Sequence, residues 1–355
     1  MIQFNFEALS HIGLTPAILN QLFQLTTDLP NNELVIARVI ETQRNKIVCD
    51  NGNTKITLTI PHHSGKDALK SNYPPIVGDW CLLDQANEKH HIAAIMPAHS
   101  ELARRQADGK VQIIANNIDT AILVMGLDHD FNLRRLERYL TLVSSANIRP
   151  VIVLSKADLC ENVEQRIEAI RNRIPDDIPI IAMNTLDDSA GSSLSDWLGV
   201  GQTIVLLGSS GVGKSSLTNT LCLSQQAVGS VRQGDDKGRH TTTHRSLHLC
   251  KSGACIIDTP GLRSLQLDID TDAVITGFSD IERFALSCRF RNCQHRDEPD
   301  CAVRQHVDAD RLKNYHKLVR ESSRLEQTPL ERIAERSKWK ALVKSIKTKN
   351  RLMQN

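Results

Sequence analysis

The sequence lacks the features that would place it among membrane or secreted proteins. No apolar run approaches the ~20 residues that a membrane-spanning helix needs, and residues 1–7 do not form a basic region followed by an apolar core. Nine cysteines is an odd number, and six of them are scattered through strand-like or helical segments, so no disulfide framework is expected. We therefore expect a soluble, cytoplasmic protein whose 355 residues form two or three domains.

Positive charge is concentrated near the C-terminus, although the formal net charge is only +2. From Arg311 to Arg351 there are 13 Lys or Arg against 4 Glu and no Asp, an excess of nine positive charges. A solvated helix face would explain a smaller excess of positive charge. An excess of nine charges favours contact with the phosphate backbone of RNA.

One segment matches the phosphate-binding pattern G-x-x-x-x-G-K-[S/T] and is called the P-loop below. It follows the apolar run 203–207 and precedes a predicted helix, which is the context that the pattern requires. Its glycines turn the backbone N–H groups inward, Lys214 reaches the β and γ phosphates, and Ser215 is a Mg²⁺ ligand. The predicted nucleotide contacts are Gly208, Ser209, Ser210, Gly211, Val212, Gly213, Lys214, Ser215 and Ser216.

Two further elements complete a guanine nucleotide site. Asp258 and Gly261 form a D-x-x-G element after an apolar run. The polar segment 234–243 lies between this element and the P-loop and offers a second Mg²⁺ ligand, with Thr242 favoured and Thr243 close behind.

The base motif is predicted at residues 155–158, which are Ser155, Lys156, Ala157 and Asp158. The Asp158 carboxylate can accept from both N1–H and the 2-amino group of guanine, and adenine lacks that pair of donors.

The order of these motifs is unusual, because the base motif precedes the P-loop. GTPases ordinarily present the P-loop, the switch and D-x-x-G before the base motif, so this order indicates a circularly permuted GTPase domain. From residue 111 onward, strands and helices alternate, which predicts a mostly parallel sheet covered by helices.

The N-terminal third has a different pattern. Residues 8–27 have the apolar spacing of a small helix. Five short β-type runs then follow between residues 33 and 97, which favours an OB-fold barrel over a β-sandwich fragment. The barrel offers possible phosphate partners in Arg38, Arg44, Lys46, Lys55 and Lys66.

Three cysteines and a histidine lie within 14 residues near the C-terminus. Cys288, Cys293, His295 and Cys301 would suit tetrahedral Zn²⁺, and four protein ligands leave no open position, so the predicted site is structural. It would fold a small domain that otherwise has little core.

These motifs, together with the segment Pro75 to Trp80 and the 240–243 element, resemble those of the RsgA (YjeQ) family of circularly permuted GTPases over about residues 30–320. The resemblance implies ribosome-stimulated GTP hydrolysis to GDP and phosphate, and binding to the small (30S) ribosomal subunit and its 16S rRNA during late maturation. Because Leu262 cannot orient water, the resemblance makes His240 the candidate that does so, with Lys214 and Thr242 as the other catalytic residues.

Two departures from the family pattern affect the base site. Ser155 stands where the family has Asn, and its shorter hydroxyl is not expected to bridge the P-loop and the base in the same way. The contact to guanine O6 is expected near residues 182–184, where the chain has Ala-Met-Asn instead of the usual Ser-Ala. Both changes, with the N-terminal helix, are compatible with a divergent paralogue.

The predicted architecture is multidomain α/β, with an OB-fold β-barrel, a circularly permuted P-loop GTPase domain and a zinc-binding helical domain. The predicted boundaries are 1–30 for a helical extension, 31–100, 101–270 and 271–355. Two alternative functions are a GTP-responsive RNA-binding module on another RNA particle and, less favoured, a P-loop small-molecule kinase. We expect a monomer with neither DNA nor membrane as a partner.

Overall fold

The computed structural model describes residues 2–26, 34–43, 46–59, 74–86, 89–105, 110–187, 189–222, 245–258 and 271–326. The chain divides into two units, Met1–Leu267 and Asp268–Asn355. The strands are β1 Ile2–Gln3, β2 Leu34–Gln43, β3 Lys46–Asp50, β4 Lys55–Thr59, β5 Trp80–Ala86, β6 Lys89–Ile95, β7 Glu101–Arg105, β8 Val111–Asn116, β9 Thr120–Gly126, β10 Arg149–Ser155, β11 Ile180–Ala182, β12 Thr203–Leu207, β13 Arg245–Leu249 and β14 Cys255–Asp258. The helices are α1 Phe6–Ser10, α2 Pro16–Thr26, α3 Leu133–Ser145, α4 Val163–Arg171, α5 Ala190–Ser193, α6 Lys214–Leu221, α7 Thr271–Gly277, α8 Ser279–Ala285, α9 Ala302–His306 and α10 Ala309–Glu326.

The centre of the first unit is a parallel sheet in the order β11-β10-β9-β12-β14. Its strands are continuous apolar runs because helices cover both faces, and β9, β12 and most of β10 are buried. The chain moves outward from β9 to β11 and then returns to β12 on the other side of β9. This reversal between β9 and β12 creates a crevice at the carboxyl ends of the strands, which is where open α/β sheets bind ligands.

Antiparallel strands extend this sheet on one side. β13 pairs with β14 and also with β2, whose other partners are β3 and β5, so twelve strands form one sheet. All five strands predicted between residues 33 and 97 are present. The β7–β8 hairpin and β13 were not predicted from the sequence. Their polar residues obscure the apolar pattern, and backbone pairing with neighbours holds them in place.

The predicted N-terminal helix is two helices. The break falls at Gly13, whose φ of +98° favours glycine, and α2 begins at Pro16, a residue suited to the first turn of a helix. A Cβ at position 13 would lie 2.4 Å from Nη1 of Arg38, so only glycine fits there without a shift of Arg38. Apolar side chains of both helices pack on the outer face of β2, β5 and β6, while the other face of β2 belongs to a second apolar cluster.

Arg38 was predicted to contact RNA phosphate, and that prediction is wrong. Its side chain is 1% exposed, because the guanidinium joins three parts of the first unit. Nη1 donates to the carbonyl of Ile12 at 2.5 Å and to Oγ1 of Thr203 at 2.9 Å, and Nη2 donates to the carbonyl of Asn117 at 3.1 Å. Arg38 therefore connects the N-terminal helices, the antiparallel strands and the parallel sheet.

Asp79 lies near Arg38 and is fully buried. Its Oδ1 accepts from Nδ2 of Asn116 at 2.7 Å and its Oδ2 accepts from the Ile76 amide at 2.8 Å, yet burial outweighs these bonds and raises its pKa to about 6. The ionised carboxylate therefore destabilises the fold. This penalty is absent below about pH 4 and grows as pH rises through 6.

We expect the wild-type free energy of unfolding, relative to that of Asp79→Asn, to fall between pH 4 and pH 8. Two pKa units correspond to about 3 kcal/mol, and the neutral amide of the variant does not titrate. Urea unfolding at each pH measures both proteins, and the subtraction removes the contribution of other titrating groups. A difference that stays constant over this range would contradict the raised pKa of Asp79.

The second unit is described over α7 to α10. Its centre is Phe278, which is buried beneath the guanidinium of Arg311 at 4.4 Å and beside the ring of Tyr315 at 5.5 Å. Arg311 also donates two hydrogen bonds to the Asp280 carboxylate, at 2.6 and 2.9 Å. None of the helices in the described residues is long and apolar enough to cross a membrane.

Candidate functional site

Four loops and one strand end meet at the carboxyl edge of the parallel sheet. Because β9, β10, β11, β12 and β14 run in the same direction, the residues that follow them share one edge. The P-loop follows β12, the predicted base motif begins at the last residue of β10, and Asp258 ends β14. The structure thus brings together three elements that span residues 155–258 of the sequence.

The P-loop is tightly curled around the ammonium group of Lys214. Nζ donates to the carbonyls of Gly208 at 2.8 Å and Ser209 at 2.5 Å. Gly208 must be glycine because a Cβ there would lie 2.3 Å from the Val124 carbonyl oxygen of β9. α6 begins at Lys214, after Gly213 at φ +95°, so its first N–H groups point toward the loop. Ser210, Gly211 and Ser215 are exposed and can reach a ligand.

Ser155 joins the base motif to the P-loop directly. Its buried hydroxyl donates to the Val212 carbonyl at 2.7 Å, and its Oγ lies 3.4 Å from the carbonyl of Met125. The sequence analysis expected that the serine hydroxyl would be too short to bridge the P-loop and the base. That expectation is wrong for the contact to the P-loop, which Ser155 makes directly. The β10 and β12 loops approach closely enough for a two-atom side chain.

The rest of the base motif turns away from the sheet. Lys156 adopts φ +59°, and its Nζ lies 2.7 Å from Oδ2 of Asp128. Residues Ala157–Leu159 form a 3-10 turn that leaves Asp158 exposed. The Ala157 amide donates to the Met183 carbonyl at 3.3 Å, which places residues 182–184 beside the base motif, as the expected O6 contact requires.

Replacing Ser155 with alanine removes the hydrogen bond between the two loops. The Val212 carbonyl loses a buried partner, which costs about 1–3 kcal/mol, so we expect affinity for GDP to fall by about tenfold. Titration with a fluorescent GDP analogue measures the change. Ser193→Ala is a matched control, because the Ser193 hydroxyl makes a similar bond to the Ser189 carbonyl on the surface. Equal affinities of Ser155→Ala and wild type would contradict this role.

Sequence reasoning missed two acidic residues at this edge. Oδ1 of Asp130 accepts from the Ser209 hydroxyl of the P-loop and lies 2.6 Å from Nη2 of Arg135. The hydrogen bond from Lys156 lowers the pKa of Asp128, so this carboxylate is ionised at neutral pH. Their position directly after the buried strand β9 is a signal that could have identified them.

Five residues that the sequence analysis assigned to the GTP site or its surroundings lie outside the described residues: His240, Thr242, Thr243, Gly261 and Leu262. Their predicted roles stay predictions. Arg44 and Lys66 are also outside the described residues, whereas Lys46 and Lys55 are exposed on β3 and β4.

The second unit brings together the four predicted metal ligands. The ligand atoms of Cys288, Cys293, His295 and Cys301 all lie within 4.8 Å of one another. Sγ of Cys288 is 3.9 Å from Sγ of Cys301, and Nδ1 of His295 is 3.6 and 3.4 Å from these two sulfurs. Tetrahedral Zn²⁺ bonds imply separations of about 3.8 Å between sulfurs and about 3.6 Å between sulfur and nitrogen. The donor set and its spacing therefore fit a tetrahedral metal ion.

Glu298 shapes the loop that presents two of these ligands. Its carboxylate accepts from the backbone amides of Gln294 at 2.9 Å, Arg296 at 2.8 Å and Asp297 at 3.1 Å. These amide hydrogen bonds lower the pKa of Glu298 to about 2, so the carboxylate stays ionised. The loop also holds His295 at φ +59°.

Comparisons with known proteins agree with this geometry. Residues 95–268 match the family model described as RsgA GTPase. The chain is 44% identical over 294 residues to the small ribosomal subunit biogenesis GTPase RsgA 2 of Vibrio vulnificus, covering 77% of this chain and 83% of that protein. It is 41% identical over 313 residues to RsgA of Xanthomonas oryzae pv. oryzae, covering 86% and 85%.

Two solved structures share the fold. YjeQ from Thermotoga maritima has a TM-score of 0.60 at 23% identity and covers 83% of this chain and 100% of its own. YloQ, described as a circularly permuted GTPase, has a TM-score of 0.56 at 24% identity and covers 83% and 97%. With the sequence identities above 40% over most of both chains, these matches show that the chain belongs to the RsgA family of circularly permuted GTPases.

Proposed function

We propose that this protein hydrolyses GTP to GDP and phosphate and assists late maturation of the small ribosomal subunit. The observation that carries the proposal is the 2.7 Å hydrogen bond between Ser155 and Val212, because it couples a guanine-reading motif to a phosphate-binding loop. A P-loop kinase has no need of that coupling. The relatives of this chain carry the name of small ribosomal subunit biogenesis GTPases.

Each part of the site has a role in this reaction. The P-loop amides and Lys214 bind the β and γ phosphates, and the Asp158 carboxylate accepts hydrogen bonds from the guanine base. Ser215 and Thr242 would hold Mg²⁺, which supplies charge neutralisation on the phosphates when bound. Asp258 faces the same region from the end of β14, and the Gly261 amide is assigned to the γ phosphate.

His240 is proposed to position the attacking water, since the leucine at 262 has no polar group for this task. Replacing His240 with alanine should then lower subunit-stimulated turnover and leave GDP affinity unchanged. Unchanged stimulated turnover would remove His240 from the mechanism.

The Cys288, Cys293, His295 and Cys301 cluster is proposed to hold one structural Zn²⁺. All four positions of a tetrahedral ion are filled by protein atoms, so the ion would organise the second unit and take no part in hydrolysis.

Loss of one zinc ligand should unfold the second unit selectively. For Cys301→Ser we expect bound zinc to fall from about one ion per chain to near zero, because structural sites need their full ligand set. Elemental analysis and hydrogen exchange over residues 271–326 measure the two effects. Cys160→Ser is the control, as Cys160 lies in the first unit, outside the cluster. Full zinc content in Cys301→Ser would contradict the assignment.

RNA contact is proposed at two surfaces. The antiparallel strands of the first unit are assigned to an OB-fold, with the exposed Lys46 and Lys55 as phosphate partners, and the basic C-terminal stretch supplies further charge. The target is 16S rRNA within the 30S particle, which places the protein in the cytoplasm, where it would act as a monomer.

Co-sedimentation with purified ribosomal subunits tests this function. We expect the protein, loaded with a non-hydrolysable GTP analogue, to sediment with 30S but not 50S subunits, and 30S subunits to stimulate its GTP turnover. Added salt should weaken the association steeply. Equal sedimentation with both subunits would favour the module on another RNA particle, and phosphate transfer from GTP to a small molecule would favour the kinase.

A further inference from the structure

Two cysteines that the nucleotide and metal sites do not use face each other in the first unit. Cys222 directly follows α6, Cys250 directly follows β13, and the two form an isolated antiparallel bridge. Both are buried, with exposed fractions of 3% and 2%, against the apolar core beneath the parallel sheet. Buried cysteines of this kind most often serve as small apolar residues, so a further role depends on their mutual geometry.

The backbone pairing places their side chains unusually close. The Lys251 amide donates to the Leu221 carbonyl at 2.9 Å, so the bond joins the residues that flank the pair on opposite sides. This is the pattern of a non-hydrogen-bonded antiparallel pair, in which the Cα atoms lie about 4.5 Å apart. A disulfide requires a Cα separation of about 4.4–6.8 Å. The cysteines therefore need little backbone movement to form one.

The two thiols also influence each other's ionisation. Their interaction across the bridge lowers the pKa of the Cys222 thiol and, together with burial, raises the pKa of the Cys250 thiol. The thiol with the lowered pKa is the better nucleophile of the pair at neutral pH. Cys222 would thus attack first, and Cys250 is placed to complete the exchange.

The three other buried cysteines of this unit, Cys49, Cys81 and Cys255, lack that arrangement, and Cys255 pairs with Leu249 across β13 and β14. Cys49 lies on β3 and Cys81 on β5, and β2 runs between these strands and pairs with both. They share one apolar cluster without being cross-strand partners. Cys49 and Cys81 are therefore a natural comparison for Cys222 and Cys250.

We propose that Cys222 and Cys250 form a reversible disulfide when the protein meets a low-molecular-weight disulfide oxidant. The Cys222 thiolate attacks one sulfur of the oxidant and expels its first thiolate, which forms a mixed disulfide. The Cys250 thiolate then displaces the second. Two cysteine thiols are oxidised with loss of two protons, and the oxidant is reduced to two thiols.

The new bond would close a ring that contains residues 223–249, including the predicted His240 and Thr242. The Cys222–Cys250 bond would lie near the start of β14, because Leu249, next to Cys250, pairs with Cys255. This is the edge of the sheet opposite the P-loop, since β13 and β14 are antiparallel. Cross-linking restricts the unfolded chain, so the oxidised first unit should be more stable. Because the cysteines are buried, oxidation should be slow and should depend on local opening.

Peptide mapping after oxidation tests the proposal without any measurement of GTP. The zinc-loaded, full-length protein is incubated with oxidised glutathione, free thiols are blocked, and the digest is analysed by mass spectrometry. We expect one linked peptide joining Cys222 to Cys250, its disappearance after reduction with dithiothreitol, and a rise in Tm of the first unit on the order of 5 °C. A zinc-sensitive dye confirms that the metal cluster keeps its ion.

The variants sharpen this result. Cys222→Ser and Cys250→Ser should each abolish the linked peptide and the Tm shift, whereas Cys49→Ser should keep both. If a variant does not fold, the peptide map of the wild-type protein is sufficient to test the proposal. The proposal is overturned if both residues are recovered as free thiols, if Cys222 stops at a glutathione adduct, or if Cys49 and Cys81 are linked at the same rate.

Discussion

Replacing Lys214 with alanine is expected to lower GTP turnover by about 100- to 1,000-fold, the usual cost of removing one preorganised donor from a developing charge. In the structure, Nζ already occupies the centre of the P-loop, where it donates to the Gly208 and Ser209 carbonyls. When a nucleotide binds, its phosphate oxygens would replace these carbonyls as acceptors of the hydrogen bonds from Nζ. Turnover with saturating GTP and 30S subunits measures the effect.

Loss of Lys214 should also weaken nucleotide binding, since each charge-assisted hydrogen bond contributes about 1.5–3 kcal/mol. Lys251→Ala is the matched control. Lys251 is exposed in the turn between β13 and β14, at the opposite edge of the sheet. Near-normal turnover in Lys214→Ala would mean that the P-loop is not the catalytic phosphate site.

Replacing Asp158 with asparagine is expected to change base specificity from guanine to xanthine. The variant loses two charge-assisted hydrogen bonds to the base, so GTP affinity should fall by about 100-fold or more. Xanthine carries a carbonyl where guanine has its amino group, and the asparagine amide can donate to that oxygen. We expect xanthosine triphosphate to bind the variant at least ~10-fold more tightly than GTP does.

Calorimetry with GTP, ATP and xanthosine triphosphate measures this exchange. Asp177→Asn removes the same charge from an exposed position in the first unit and should leave the order of affinities unchanged. An Asp158→Asn protein that still prefers GTP would show that another group reads the base.

The positions of the nucleotide motifs were predictable because each is a local pattern after a buried strand. Their meeting at one edge follows from parallel strands, once residues 203–207 and 151–154 are read as buried runs. The contact between Ser155 and Val212 was not predictable, since it depends on how closely the β10 and β12 loops approach in three dimensions.

For Arg38, the local sequence pattern led to a wrong prediction. The sequence identifies it as a cation on a strand, and cations on strands are usually exposed. Its alternation with Leu34 and Ile36 places it on the face that the N-terminal helices cover, and the sequence does not reveal that cover. The metal ligands were predictable because three cysteines and a histidine within 14 residues are the donor set of a structural zinc site, and short loops can bring them to one ion.

β13 pairs on one side with β14 and on the other with β2, so it has no free edge at Ser246. A fragment that begins after β6 would strip this strand of its outer neighbour and expose unpaired amides and carbonyls to other chains. Truncations that aim to isolate the GTP-hydrolysing part should therefore self-associate. Expression designs for this family are better cut at the junction between the two units, leaving the amino-terminal strands in place.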